Sequence, residues 1–132
     1  MKRWVIDTNV VVSGLRVPLS PPALLLDAVA DGRVRMVYDP RILAEYRDVL
    51  NRSKLRFSPR IIANFLANMR HQQRVYPTHH LRSGPDPDDL MFIEVALVTP
   101  QKTIVTGNVR DFPRAIRHGV RILTPAEALS EL

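Results

Sequence analysis

Residues 4–12 read Trp4-Val5-Ile6-Asp7-Thr8-Asn9-Val10-Val11-Val12. Three consecutive apolar residues ending on a carboxylate are the pattern of a strand buried on both faces, as in a parallel sheet, and not of a half-exposed strand with alternating polarity. The chain therefore begins with a strand that stops at Asp7, turns, and enters a helix near Val10. The same unit recurs outward from it. Pro22 opens a helix over Ala23 to Ala30, closed by Asp31-Gly32, and Val34 to Tyr38 reads as the next strand. Asp39-Pro40 caps and starts a helix over Arg41 to Asn51, and Ser58-Pro59 starts another over Arg60 to about Gln73. In that last helix Ile61, Ile62, Phe65, Leu66 and Met69 form one apolar stripe, which serves either the core or a homodimer contact.

Val75-Tyr76 reads as a short strand, and Leu90 to Val98 as a helix apolar almost all round, hence buried between layers. Thr103 to Thr106 and Val120 to Leu123 complete the strands, and Thr124-Pro125 starts a helix reaching Leu132. Strands alternating with helices give a three-layer α/β/α sandwich with a mainly parallel central sheet, in one domain over residues 1–132.

Composition narrows the chemistry. There is no cysteine among the 132 residues, which removes disulfides, thiolate metal sites and thiol nucleophiles. Nineteen Lys and Arg against 13 Asp and Glu leave a formal charge of +6, and 16 of those cations are arginine, the residue that grips phosphate bidentately. A polyanion is one partner that this balance suits; plain solubility explains it as well. Asp7 and Asn9 interrupt the only N-terminal apolar run, and no apolar stretch is long enough to span a bilayer, so the expectation is a cytoplasmic protein with no membrane partner.

In open α/β sheets, ligands bind beyond the carboxyl ends of the strands, which makes Asp7 and Asn108 the positions of interest, with Asn9, Ser13 and Thr106 beside them. Asp7 also reads as an ordinary helix cap. On a helical wheel Glu45 falls at the border of the face formed by Ile42, Leu43, Tyr46, Val49 and Leu50, and Asp48 is placed roughly opposite, in solvent. Asp86-Pro87-Asp88-Asp89 opens the buried helix. The capping reading is complete there, although a divalent cation would relieve the repulsion of three carboxylates. Asp111 caps the Phe112 to Ile116 segment or serves as an auxiliary acid, and Glu94, among apolar neighbours, either pairs with an arginine or faces the cleft. His71, His79, His80 and His118 lie off the strand ends, and no serine has a His-Asp partner, so serine hydrolase chemistry is not indicated. A receiver-like phosphoacceptor would require an acidic pair near the first strand and a lysine after the last, but Lys102 precedes its strand.

Asp7-Thr8-Asn9, Glu45 after Asp39-Pro40, Asp89 opening a buried helix and Thr106-Gly107-Asn108 after a strand stand in the order found in PIN domains. The chain resembles that family over nearly its whole length and, more narrowly, the toxin components of toxin-antitoxin pairs related to VapC ribonucleases. The resemblance implies a Mg²⁺- or Mn²⁺-dependent endoribonuclease with Asp7, Glu45 and Asp89 as catalytic acids. Asp89 takes the third place because it stands seven residues before Ala96. Asn108 falls where the family has a fourth acid, a departure that weakens a second metal position, and Asp111 is placed to compensate. Asp7, Glu45, Asp89, Asn108 and Asp111 thus form the expected metal site, supported by Asn9, Thr106 and Asp86. Arg16, Arg82, Arg110 and Arg114 are the expected RNA contacts, with a cognate antitoxin and a second copy as further partners. The competing reading is a catalytically weakened module that binds RNA or a partner protein.

Overall fold

The structure, a computed structural model, describes residues 1–78, 80–81 and 87–132, with Pro87 described by its backbone alone. Five strands, β1 (Lys2–Ile6), β2 (Val34–Tyr38), β3 (Gln73–Arg74), β4 (Thr103–Val105) and β5 (Arg121–Leu123), form one sheet in the order β3-β2-β1-β4-β5. Every pairing is parallel, so the mainly parallel sheet expected is wholly parallel. A receiver-like fold would order its strands 2-1-3-4-5, which this sheet does not. Among the described residues six α-helices flank the sheet: α1 (Thr8–Arg16), α2 (Pro21–Ala30), α3 (Pro40–Leu50), α4 (Pro59–Asn68), α5 (Pro87–Leu97) and α6 (Pro125–Leu129). No single helix among the described residues is long and apolar enough to cross a membrane.

Local chemistry starts these helices. Ser20, Asp39, Ser58 and Thr124 each cap the helix that a proline then opens, and Asp39 accepts from both the Arg41 and Ile42 amides. The proline loses nothing at a position whose N–H has no partner inside the helix. Gly14 lets α1 and α2, which turn through 97°, come into contact. A Cβ there would sit 2.6 Å from Leu26 Cδ1 and 2.9 Å from the Pro22 carbonyl oxygen.

The core runs through the sheet. Trp4, Val5 and Ile6 are wholly buried, and Leu90 to Ile93, Val95 and Ala96 make α5 the sandwiched helix its composition demanded. Several boundaries differ from expectation. The helix expected to run to Gln73 ends at Asn68 and passes into a 3₁₀ turn over Met69–His71. The edge strand follows at Gln73–Arg74, not at Val75-Tyr76, and Tyr76 is exposed. Asp111 caps nothing: it ends a 3₁₀ turn, Val109–Asp111, and a second turn over Arg114–Ile116 is preceded by Pro113. Of the apolar stripe, Ile62, Phe65 and Met69 enter the core, whereas Ile61 stays 40% exposed.

Candidate active site

The strand order changes direction between β1 and β4, and the crevice at such a reversal is where α/β sheets hold ligands. Asp7 stands at the carboxyl end of β1, its amide bonded to the Val105 carbonyl, and Thr106 follows β4 directly. Two positions 99 residues apart thus meet: Thr106 Oγ1 donates to Asp7 Oδ2 at 2.8 Å. Asn9 Nδ2 donates to the same oxygen at 3.2 Å, and its Oδ1 accepts from the Gly107 amide at 2.8 Å. Asp7 Oδ1 accepts from the Thr8 amide at 2.8 Å, so the capping reading of Asp7 holds, and the cap stands at the strand end where a ligand would lie. A carboxylate offers about four acceptor positions, and these contacts use three of them.

Glu45 joins from α3. The Thr8 hydroxyl donates to Glu45 Oε2, tying the second acid to the residue next to the first. Tyr46, fully buried, donates its hydroxyl to the Ile6 carbonyl and packs edge-on against Phe65 with ring centroids 5.8 Å apart. Successive residues of α3 therefore hold the site: one supplies a carboxylate, and the other fixes the helix to the strand end that carries Asp7. Burial, with Asp7 and Glu45 nearby, pushes the Tyr46 hydroxyl well above its ordinary pKa, so it stays protonated and a donor.

Asn108 and Asp111 close the other side. Asn108 Nδ2 donates to Asp111 Oδ1 at 3.0 Å, while the Asn108 amide donates to Thr106 Oγ1 at 3.0 Å. Asp111 lies near enough to act electrostatically on Asp7. The Asp7 carboxyl is raised from 3.8 to about 6, first by burial and then by Glu45 and Asp111, against the hydrogen bonds from Thr106 and Thr8.

Asp89 is half-buried in the first turn of α5 with Asp88 exposed beside it, whereas Asp86, Arg82 and His79 lie outside the described residues. Asp48 is in solvent as expected, but it does not point away from Glu45. Residues three apart on a helix share a face, and both line a groove of about 380 Å³ with Arg41, Arg52 and Asp88. Glu94 takes the arginine alternative: its Oε1 lies 2.7 Å from Arg41 Nη1, as an ion pair without full hydrogen-bond alignment, and its Oε2 accepts from the Leu81 amide at 2.7 Å. Arg41 also grips buried Asp39 at 2.8 Å, which makes it a structural cation. Arg16 is likewise engaged, donating to the Leu55 carbonyl at 2.8 Å and lying over the Phe57 ring, whereas Arg110 and Arg114 are exposed. His71, His80 and His118 are all exposed.

Sequence reasoning missed Thr8 as the bridge to Glu45 and Tyr46 as the clamp, although the latter's place on the buried face of α3 was visible. An apolar concavity of about 330 Å³ beside Leu15, Leu26, Ile61 and Phe65 has no titratable side chain in its lining and lies apart from this chemistry.

The donors here are all hard oxygens, the set that Mg²⁺ or Mn²⁺ prefers. Among the described residues no three acidic or histidine side chains enclose an ion by themselves. That is compatible with Mg²⁺, which keeps several waters and is ordinarily held by one or two carboxylates together with substrate phosphate. Asp7 and Glu45 fit that role, with Asp111 and Asn108 opposite them. The family model described as PIN domain matches residues 3–110. No curated protein and no solved structure matches the chain.

Proposed function

Because the chain belongs to the PIN domain family, a family of nucleases, we propose that it is a metal-dependent endoribonuclease that hydrolyses RNA phosphodiester bonds in the cytoplasm as the toxin of a toxin-antitoxin pair. The observation that carries the reading is the joining of Asp7 and Glu45 through Thr8 at the sheet's reversal point, with Asp111 close enough to add its charge. A bound Mg²⁺ or Mn²⁺ would lower the pKa of an attacking water and neutralise the phosphoryl oxygens. The chain's own residues do the rest. Asp7 and Glu45 would hold the ion, with Asp89 as the third acid that the family resemblance assigns. Thr106, Asn9 and the Thr8 amide fix the Asp7 carboxylate in one rotamer, and Asn108 orients Asp111. No histidine is needed as general base.

The test is incubation of purified protein with a mixed RNA pool in Mg²⁺, Mn²⁺ or EDTA. Cleavage in either metal, lost in EDTA and in Asp7→Ala and Asp89→Ala, supports the reading. Asn108 in place of an acid favours a second reading, a weakened module that retains RNA or a partner protein without cutting. Retention of uncut RNA in both metals would select it. Co-expression with the protein encoded beside it, relieving growth arrest, tests the toxin role.

A further inference from the structure

Two grooves meet on one stripe of α3 and its C-terminal extension: Glu45, Val49 and Arg52, spaced four and three residues apart, line both. Their charges differ. In the first groove, about 420 Å³ and walled by Thr8, Asn9 and Ser13, Arg52 and Lys54 face a single carboxylate, Glu45. In the second, Arg41 and Arg52 face three, Glu45, Asp48 and Asp88, and Arg41 is already committed to Asp39 and Glu94. Arg52 and Lys54 are exposed, and among the described residues neither forms an ion pair. Their backbone is held in place. Lys54 sits in a 3₁₀ turn, Ser53–Leu55, where the Leu55 amide bonds the Arg52 carbonyl at 3.0 Å and Arg16 grips the Leu55 carbonyl.

From this asymmetry we infer that Arg52 and Lys54 bind the phosphates of single-stranded RNA on one side only of the bond to be cut, along the groove of Thr8, Asn9 and Ser13. The inference rests on the ribonuclease reading and assigns to it the residues that hold the substrate. Among the described residues the opposite groove sets three carboxylates beside two arginines, a poorer path for a phosphate backbone than the flank of Arg52 and Lys54. Arg16 then acts indirectly, as a positioning residue for the turn that presents Lys54. An unstacked strand suits such a shallow path better than a duplex, whose phosphates are fixed on a wide cylinder.

The test is binding of a labelled, mixed-sequence single-stranded RNA 12-mer in EDTA, followed by anisotropy across a salt series. Arg52→Ala with Lys54→Ala should weaken binding at least about tenfold at low salt, and the salt slope should fall by about 1.4, the contribution of two single-strand phosphate contacts. Arg3→Ala with Lys102→Ala, the same charge change at the amino ends of β1 and β4, should alter the dissociation constant by less than about threefold, since it touches no groove. Asp48→Asn should tighten binding. In cleavage assays with metal, the Arg52/Lys54 pair should raise KM and leave kcat within about twofold, as loss of uniform binding requires. Equal losses in the two double variants, or weaker binding by Asp48→Asn, would overturn the inference while leaving the ribonuclease reading intact. Wild-type protein that neither binds nor cuts RNA would overturn both.

Discussion

Asp7→Asn tests the electrostatic description of the site without reference to substrate. The carboxyl is raised from 3.8 to about 6, chiefly by burial, so the folded protein holds that proton more tightly than the unfolded chain. The sign follows. Below the unfolded value Asp7 costs nothing; as pH rises through the folded value, ionisation is penalised in the fold, and the cost is complete above it. At about 1.4 kcal/mol per unit, the whole cost is about 3 kcal/mol, of which about 2 kcal/mol accrues between about pH 4.5 and about pH 7.5. An asparagine carries no such charge. It keeps the oxygen that the Thr8 amide needs, and the Thr106 hydroxyl can turn to accept, but Asn9 Nδ2 is left facing an amide donor, a loss of about 1 kcal/mol at any pH.

The metal-free variant should therefore be more stable than the parent by about 1–2 kcal/mol at about pH 7.5 and roughly equal to it at about pH 4.5. Urea unfolding in EDTA reads this directly, because the single tryptophan, Trp4, is wholly buried and reports global unfolding. The difference between the two pH values is the decisive quantity, since any fixed packing or hydrogen-bond loss cancels in it. An equal stability change at both pH values, or a variant less stable at the higher one, would refute the account of Asp7 as a buried, penalised carboxylate.

Tyr46→Phe should cost about 1–2 kcal/mol, because it leaves the buried Ile6 carbonyl without its donor, and should lower kcat more than it raises KM as Glu45 and Asp7 lose their fixed spacing; denaturation curves and steady-state cleavage check the two parts. Gly14→Ala should destabilise by about 1–3 kcal/mol despite alanine's better helix propensity, since its methyl would enter the space of Leu26 Cδ1 and the Pro22 carbonyl; a lowered melting temperature is the readout. Mg²⁺ or Mn²⁺ should raise the melting temperature while Na⁺ at matched ionic strength does not, by about 2.7 kcal/mol at one hundred times the dissociation constant, and chelation should reverse it; Asp7→Asn should blunt the rise.

Helix starts were legible because they are local: Asp39-Pro40, Ser58-Pro59 and Thr124-Pro125 each place a cap oxygen before a residue that needs no donor. Their ends were not, since nothing within the apolar stripe distinguishes α4 from the 3₁₀ turn that completes it at Met69. The edge strand Gln73–Arg74 is polar and two residues long, with no alternation to announce it, and parallel pairing with β2 defines it. In the site, the rule for strand ends singled out Asp7 and Asn108, with Asn9 beside the first, and the fold brings all three to Thr106 from opposite ends of the chain. Asp48 was misplaced by an error of spacing, and its exposure alone was correct. The arginines show a different limit. Composition counts a cation but cannot show where its guanidinium is engaged: Arg16 donates to the Leu55 carbonyl and Arg41 pairs with the Asp39 and Glu94 carboxylates, while Arg52 and Lys54 stand open to solvent.

The choice of neighbours around Asp7 bears on why the site is built at a cost. A lysine or arginine beside that carboxylate would lower its pKa and stabilise the fold, and a chain with a formal charge of +6 has cations to spend. The arrangement uses hydroxyls and amides instead: Thr8, Thr106 and Asn9 surround Asp7, and no ion pair among the described residues includes it. Asn108 follows the same logic from the other side. As an amide it orients Asp111 by donation, where an aspartate would have faced it as a like charge and pushed Asp7 higher still. Neutral donors thus fix the geometry of the Asp7 carboxylate without offsetting its charge. A divalent cation bound at Asp7 by the folded form alone would offset the folding free energy that burial of this carboxylate costs the apo protein.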